Sequence, residues 1–187
     1  IIILKTWINQ VGFPLLEVKR NTSTLTLKQS RFLLEGDKNP SKKTWSIPLV
    51  IEEGNQRMKK LMTKKSEKIH LKNKDRNFII NSGRTGFYRI QYDKETLENL
   101  SLLIDEKILD HVDRWSLQND YFAQAVSGKK NIQEYLDFTS AYYDEDNYIS
   151  SLSLAHNLYS LYILARKEKF SDELRQYAIN FLDGFLS

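Results

Sequence analysis

Two hydrophobic periods divide the chain. In the first part apolar residues alternate with polar ones, as at Leu16 and Val18 and again at Leu25 and Leu27. A period of two is typical of a half-buried strand. In the second part apolar residues recur every three or four positions, the period of an amphipathic helix. The pattern therefore predicts a β part followed by an α part.

The first part favours short strands joined by turns. Asn21-Thr22-Ser23 and Glu53-Gly54-Asn55 predict two of the turns. Residues 31–35 are interpreted as a separate strand, and apolar residues at every second position of 45–51 share one face of the next. Pro48 lies inside that run and requires an edge or a bulge, because proline cannot donate to a ladder. Turns at this spacing, without helices between them, predict a small antiparallel β-sandwich.

The second part predicts about five helices joined by short loops. Asn131 is the predicted N-cap of one of them, and Gly128 is the predicted end of the one before it. Short loops between helices favour a solenoid-like or antiparallel helical array. The apolar residues with helical spacing fall in 97–104, 108–126, 132–139, 152–164 and 171–185.

The segment Asn81-Ser82-Gly83-Arg84-Thr85-Gly86 is the predicted boundary, since glycines and small polar residues mark linkers. We assign residues 1–86 to the β-sandwich and 87–187 to the N-terminal part of an α-helical domain. We further expect the last helix to present an apolar face that is exposed or covered by another molecule. That face consists of Tyr177, Phe181, Leu182 and Phe185.

Charge is distributed unevenly along the chain. Residues 1–93 carry 19 Lys/Arg against 8 Asp/Glu, a net +11, whereas residues 94–187 carry 9 against 16, a net −7. Such asymmetry favours either packing between complementary neighbours or an anionic partner. The absence of cysteine excludes thiolate metal sites and favours a cytoplasmic protein. The apolar start, Ile1 to Leu4, is too short to span a bilayer, and we predict no membrane association.

A basic run is the strongest non-enzymatic signal. A groove for single-stranded nucleic acid needs aromatic rings among its cations, and His70 is the only ring within the run. We therefore interpret the run as a solvated strand face and predict no nucleic-acid partner. The alternative is a free-standing protein- or nucleic-acid-binding module that uses the basic β domain. The run comprises Arg57, Lys59, Lys60, Lys64, Lys65, Lys68, Lys72, Lys74 and Arg76.

Several local motifs, in order, resemble those of one enzyme family. One reads Trp-x-Ile-Pro-Leu, and another reads Asn…Gly-Phe-Tyr-Arg-Ile-Gln-Tyr-Asp. Together they resemble the region that follows the catalytic domain in zinc aminopeptidases of the aminopeptidase N and tricorn-interacting type. Two departures are Phe87, where the family commonly has Tyr, and Ile149-Ser150-Ser151, where it often has Val-Pro-Trp. The matching segments are 7–14, 27–32, 45–49, 81–93, 113–125 and 144–148.

The resemblance implies a non-catalytic C-terminal region of a peptidase that removes N-terminal residues from peptides. In that family one zinc is bound by His-Glu-x-x-His and a downstream Glu, and Gly-x-Met-Glu-Asn holds the substrate amine. Neither motif occurs here. We therefore assign no catalytic, cofactor or metal residue to this chain, place zinc in the parent enzyme, and expect the chain itself to be inactive. The implied partners are the N-terminal and catalytic domains of the same polypeptide and, in the parent, peptide substrates.

Other candidate constellations are weak. His70, His111 and His156 are far apart in sequence and are interpreted as isolated. Asp144-Glu145-Asp146 lacks the spaced ligands and glycine of a calcium loop and is interpreted as a solvated turn. Asp110-His111-x-Asp113 has no accompanying nucleophile and is interpreted as helix surface. Gly83-Arg84-Thr85-Gly86 lacks the Lys-Ser/Thr of a phosphate loop.

Overall fold

The computed structural model describes residues 2–34, 43–72 and 77–185. The chain forms two compact units that divide between Leu100 and Ser101, inside a helix. The domain division predicted after residue 86 stays a prediction, although a strand beyond that point belongs to the first unit. The first unit contains α1 (Ile2–Ile8), β1 (Pro14–Asn21), β2 (Thr24–Arg31), β3 (Ile47–Glu53), β4 (Gln56–Met62), β5 (Ser66–His70), β6 (Phe78–Ile80) and β7 (Arg89–Tyr92).

The strands form two sheets, in the orders β5-β2-β1-β7 and β4-β3-β6. Every pairing is antiparallel except that of β1 with β7, which is parallel. The sheets meet through buried side chains: the Tyr92 hydroxyl of β7 accepts a hydrogen bond from the Ile80 amide of β6 at 2.9 Å. The predicted β-sandwich is thereby confirmed, and its core includes Leu16, Val18, Leu25 and Leu27, each at most 1% exposed.

The separate strand predicted over residues 31–35 is wrong. Arg31 is the last residue of β2, and Phe32 to Leu34 lie outside any strand. No turn precedes Arg31, because Gln29 and Arg31 continue the pairing with Leu16 and Pro14 of β1. Glu35 and the predicted stop over 36–40 lie outside the described residues.

Pro48 occupies a locally open side of β3. Although β3 is central in its sheet, β6 pairs only with residues 51–53. The Pro48 carbonyl accepts a hydrogen bond from the Tyr88 hydroxyl at 3.3 Å, so its missing N–H also faces the side that β6 does not reach. The fold thus meets the requirement that the sequence imposed.

The second unit is helical. Its side-chain N-caps are Asp110, Asn131 and Asn147, of which Asn131 was predicted. Helix α3 packs against α4 and α5, and α5 packs against α6. None of the described helices is long and apolar enough to cross a membrane. The five helices that follow the sandwich are α2 (Lys94–Asp105), α3 (His111–Val126), α4 (Ile132–Thr139), α5 (Tyr148–Ala165) and α6 (Ser171–Asp183).

The apolar face expected to be exposed on the last helix is partly covered within the unit: Phe181 is buried, and the other three residues of the face are half-buried. Phe181 is 1% exposed. Its ring lies 5.0 Å from that of Tyr143 and 5.1 Å from that of Phe185. Tyr177 is half-buried, and its hydroxyl donates to the Leu136 carbonyl of α4 at 2.9 Å. The expectation of an exposed face is wrong at Phe181, because Tyr143 in the turn before α5 supplies an aromatic partner far away in sequence.

Asn147→Ala is expected to destabilise the helical unit by about 1 kcal/mol. The Asn147 side chain accepts hydrogen bonds from the Ile149 and Ser150 amides at 3.1 and 3.2 Å, and alanine leaves both donors without that acceptor. Urea unfolding followed by circular dichroism at 222 nm measures the loss. Asn147→Asp, which keeps the acceptor, is the control and should remain close to wild type.

Candidate functional site

The described residues contain no catalytic metal centre. No group of three or more His, Asp or Glu side chains among them is placed to hold a metal ion. The three histidines lie at the end of β5, at the start of α3 and in the middle of α5. His70 Nδ1 lies 3.1 Å from the Thr24 hydroxyl, and His111 Nδ1 lies 3.6 Å from an oxygen of Asp110. Among the described residues, none of the three histidines therefore belongs to a group that could hold a metal ion.

The Asp110-His111-x-Asp113 segment begins helix α3. Asp110 is its N-cap and accepts a hydrogen bond from the Val112 amide at 2.9 Å. Asp113 is only 5% exposed, so the interpretation of the whole segment as helix surface is wrong at this residue. Aspartate in the first turn of a helix is also favoured by the helix dipole.

Within the acidic segment 144–146, Glu145 is buried in an ion pair, whereas Asp144 and Asp146 are exposed. The Arg114 guanidinium donates from Nε to Glu145 Oε2 at 2.8 Å and from Nη2 to Glu145 Oε1 at 2.6 Å. The exposed fraction is 7% for the Arg114 side chain and 1% for that of Glu145. The interpretation as a solvated turn is therefore wrong at Glu145, because a cation 31 residues away pairs with this middle carboxylate.

Further groups complete this ion pair. Arg114 Nη1 donates to the Leu109 carbonyl at 2.8 Å, and the buried Tyr142 hydroxyl donates to the Arg114 carbonyl at 2.8 Å. Asp146 bridges Arg114 and Lys107 at 3.1 Å each, and the hydrogen bond from Lys107 lowers the pKa of the Asp146 carboxyl. The hydrogen bond to Glu145 raises the pKa of Arg114, so the guanidinium stays charged over the physiological range.

A second buried polar group joins α3 to α5. The Asn157 amide donates to Gln118 Oε1 at 2.6 Å, and the Gln118 amide donates to the Ser153 hydroxyl at 2.7 Å. Gln118 is 0% and Asn157 4% exposed. Buried polar groups are tolerated only when hydrogen-bonded. Because these partners are fixed in direction, they set the register of the two helices.

Local contacts explain why particular residue types occur in the joint at residues 81–88. Asn81 adopts a left-handed backbone conformation, with φ 64°. Its side-chain oxygen accepts from the Gly86 amide at 2.7 Å, and its side-chain nitrogen donates to the Gly86 carbonyl at 3.0 Å. A Cβ on Gly86 would lie 2.7 Å from Tyr88 Cδ1, so only glycine fits beside the buried Tyr88 ring.

Aromatic rings and an arginine cover the end of the four-stranded sheet. Phe13 lies 5.4 Å from Phe32 and 5.1 Å from the largely exposed Phe87, measured between ring centroids. The Arg89 guanidinium lies 5.3 Å from the centre of the Phe32 ring. Next to these rings is a cavity of about 250 Å³ that the Gly83-Arg84-Thr85-Gly86 segment partly lines. Aromatic residues and two arginines, Arg84 and Arg89, line the cavity, and the segment lacks the Lys-Ser/Thr of a phosphate-binding loop.

Two glutamines and a tryptophan hold the segment 44–46 in place. Buried Gln29 accepts from the Trp45 amide at 2.8 Å and donates to the Trp45 carbonyl at 3.0 Å. Trp7 of α1 donates from its ring nitrogen to the Ser46 carbonyl at 3.0 Å, and Gln10 donates to the Thr44 carbonyl at 3.2 Å. The segment that leads into β1 and the Trp-x-Ile-Pro-Leu segment are therefore in direct contact, which explains these residue types in structural terms.

The basic run lies on two edge strands. β4 is an edge of the three-stranded sheet, and β5 is an edge of the four-stranded sheet. Lys60 of β4 pairs with Glu67 of β5 at 2.6 Å. The other cations of the run in β4, β5 and the adjoining turns are exposed, as the sequence predicted; Lys74 and Arg76 lie outside the described residues.

Helix α5 has the most extensive exposed apolar surface of the helical unit. Ile149, Leu152, Tyr159 and Ile163 are each 39% or more exposed and follow one another at spacings of three, seven and four residues. The opposite face of the same helix is buried at Leu154, Leu158 and Leu161. This exposed apolar face of α5 is suited to contact with apolar groups of another molecule.

Comparison with protein families shows which family this chain belongs to. The model of the ERAP1-like C-terminal domain matches residues 77–187, more than half of the chain. The chain belongs to this family. The ERAP1-like match contains β6, the Asn81 joint, β7 and all of the helical unit, including both buried polar groups.

Relatives of this chain include proteins named as aminopeptidases and a protein named as a tricorn protease-interacting factor. The chain is 33% identical over 178 residues to "Probable aminopeptidase 2" of Sulfurisphaera tokodaii, covering 95% of the chain and 22% of the relative. It is 28% identical over 162 residues to "Tricorn protease-interacting factor F2" of Thermoplasma volcanium, covering 87% and 19%. It is 27% identical over 180 residues to "Puromycin-sensitive aminopeptidase" of Caenorhabditis elegans, covering 88% and 18%. The chain thus spans about a fifth of the length of these relatives.

Proposed function

We propose that this chain is the non-catalytic C-terminal portion of a zinc-dependent aminopeptidase that removes N-terminal residues from peptides. The observation that carries the proposal is the match to the ERAP1-like C-terminal domain together with aminopeptidase relatives that the chain matches over about a fifth of their length. Among the described residues no side-chain cluster suits a metal, which is consistent with zinc held elsewhere in the parent. We place that parent in the cytoplasm, and this portion of it has no cysteine that could form a disulfide.

In this proposal the β-sandwich is a spacer, and the helices form part of a solenoid-like lid over the active-site cavity. A lid must keep its shape while peptides enter and leave, so its helices need fixed relative positions. The Arg114–Glu145 pair and the Gln118–Asn157 group supply directional contacts that join α3 to α5 and the turn before it. The exposed apolar residues of α5 give such a lid a surface for apolar peptide side chains.

Purified residues 1–187 are expected to bind no zinc and to release no chromophore from leucine p-nitroanilide. The physical reason is that water activation needs a metal with an open position and an adjacent base, and the amine anchor is absent. Metal analysis after dialysis against zinc and an absorbance assay measure both properties. Stoichiometric zinc with turnover that a chelator abolishes would contradict the proposal.

The lid role is tested in the parent enzyme. Ile149→Glu with Tyr159→Glu changes the exposed surface of α5 without touching its buried face. The expected result is unchanged turnover of an aminoacyl chromophore and a several-fold loss in kcat/KM for apolar peptides of about ten residues. Lys167→Glu, on the exposed turn after α5, is the control. Equal loss on both substrates would show that α5 does not act as a selective wall.

A further inference from the structure

We propose that the outer edge of strand β4 binds an extended acidic peptide segment as an added strand. The basic run was left without a function by the aminopeptidase proposal, and this inference is independent of that proposal. Edge strands offer unpaired backbone groups, and proteins use such edges to bind extended peptides through main-chain hydrogen bonds.

The direction of the backbone groups in β4 follows from those of β3. The Val50 carbonyl accepts from the Asn81 amide at 2.7 Å, on the side of β3 away from β4. Residues that alternate with Val50, such as Leu49 and Ile51, therefore bond to β4, where they lie opposite Lys60 and Met58. The amides and carbonyls between these, at Arg57, Lys59 and Leu61, point away from β3.

That outer edge is open in the part of the chain that the structure describes. β4 lies at one edge of its sheet, and none of the described strands pairs with the side of β4 that faces away from β3. The strand is seven residues long, which is sufficient for a ladder of several hydrogen bonds. Outward groups at 57, 59 and 61 have the two-residue spacing that an added strand requires.

The side chains select the chemistry of the partner. Arg57, Lys59 and Leu61 lie on the face of β4 opposite to buried Met62, and Leu61 is 42% exposed. An added strand would place alternate residues beside this row. Because the Arg57 guanidinium already donates to the Ser82 carbonyl at 3.3 Å, a complementary strand has an acidic residue beside Lys59 and an apolar residue beside Leu61. The remaining cations of the run, Lys64 and Lys68 among them, extend the positive field around this edge.

Protein is a better partner for this edge than nucleic acid. Bases need aromatic surfaces for stacking, and the described cations of the run are accompanied by no aromatic ring besides His70. The phosphates of a nucleic acid would pair with the cations, but they would not form a ladder of hydrogen bonds with the outward amides of β4. An acidic strand uses the cations, the amides and Leu61 at once. Exposed lysines also repel a second basic edge, so the same residues that prevent self-association favour an acidic partner.

The test uses the complete chain and two labelled ten-residue peptides, one alternating Glu with Thr and one alternating Lys with Thr. Fluorescence anisotropy should show binding of the Glu peptide that weakens with salt, and no binding of the Lys peptide. Lys59→Glu should weaken binding about three- to tenfold, because an attraction becomes a repulsion. Lys167→Glu makes the same charge change on an exposed turn of the helical unit and should have less than a twofold effect.

Amide exchange separates strand addition from charge attraction. On saturation with the Glu peptide, hydrogen exchange measured by NMR should slow at least about fivefold at Lys59 and Leu61. Lys59→Pro removes the outward amide and should weaken binding beyond the effect of Lys59→Gln. If that proline variant does not fold, the exchange measurement in the wild type decides. Unchanged exchange, equal losses in the Lys59→Glu and Lys167→Glu variants, or tighter binding of a single-stranded oligonucleotide than of the Glu peptide would each overturn the proposal.

Discussion

Replacing Glu145 with alanine is expected to destabilise the helical unit by about 3–5 kcal/mol. The substitution leaves the Arg114 guanidinium, whose side chain is 7% exposed, without its principal counter-ion. A buried unpaired charge costs far more than the net contribution of the intact pair, because desolvation is no longer compensated. The measurement is urea unfolding followed by circular dichroism at 222 nm, which reports mainly on the helices.

Two controls separate the buried pair from its exposed neighbour. Asp146→Ala removes a contact of the same guanidinium at 3.1 Å, but the Asp146 side chain is 62% exposed, so a much smaller shift is expected. Arg114→Met combined with Glu145→Leu removes both charges and should recover most of the loss, since apolar replacements of a buried pair are often neutral. Equal midpoints for Glu145→Ala and Asp146→Ala would refute the account.

Helices and strands could be predicted here because their signals are local. The alternation at Leu16, Val18, Leu25 and Leu27 needs no knowledge of partners, since one buried face imposes the period. The N-cap at Asn131 likewise depends only on the next residues along the chain. The limits of a strand are less local, and β2 extends to Arg31 because β1 is there to pair with it.

Buried charges could not be predicted because their partners are distant in sequence. Glu145 lies in a run of three acidic residues, the composition of a solvated turn, and nothing adjacent to it indicates burial. Only the fold brings Arg114 to it, across 31 residues. The same reason explains the error at Phe181, whose covering ring belongs to Tyr143. Motif resemblance marked the 113–125 and 144–148 segments, but it did not show that the two are in contact.

The contacts within each motif connect the sequence signal to the family. In the joint, Asn81 uses its amide on both sides of Gly86, and in the segment after α1, Trp7 reaches the backbone of Ser46. These are side-chain contacts to backbone atoms, which depend on the exact residue type and not on hydrophobic period. A motif of this kind is consequently more specific than a hydrophobic period. It indicated the family, whereas the candidate catalytic and metal-binding residues did not.

Gly86→Ala is expected to destabilise the β unit by about 3 kcal/mol, because the added methyl group enters space that the Tyr88 ring occupies. Tyr88 is 2% exposed, and its hydroxyl donates to the Pro48 carbonyl at 3.3 Å, so the ring cannot move without losing that hydrogen bond and its packing. Movement of the backbone instead would break the two hydrogen bonds between the Asn81 side chain and the Gly86 backbone. Unfolding followed by the NMR signal of the buried Trp45 indole N–H, separately from those of Trp7 and Trp115, measures the effect in this unit.

Gly128→Ala is the matched control for the methyl group itself. Nothing lies within 4 Å of a Cβ at Gly128, so the cost there is limited to its φ of 70° and should be about 1 kcal/mol, confined to the helical unit. A double-mutant cycle then tests the cause: once Tyr88→Ala has removed the ring, adding Gly86→Ala should cost much less than it does in the wild type. Additive losses would mean that Gly86 is required by the backbone of the joint and not by the ring of Tyr88.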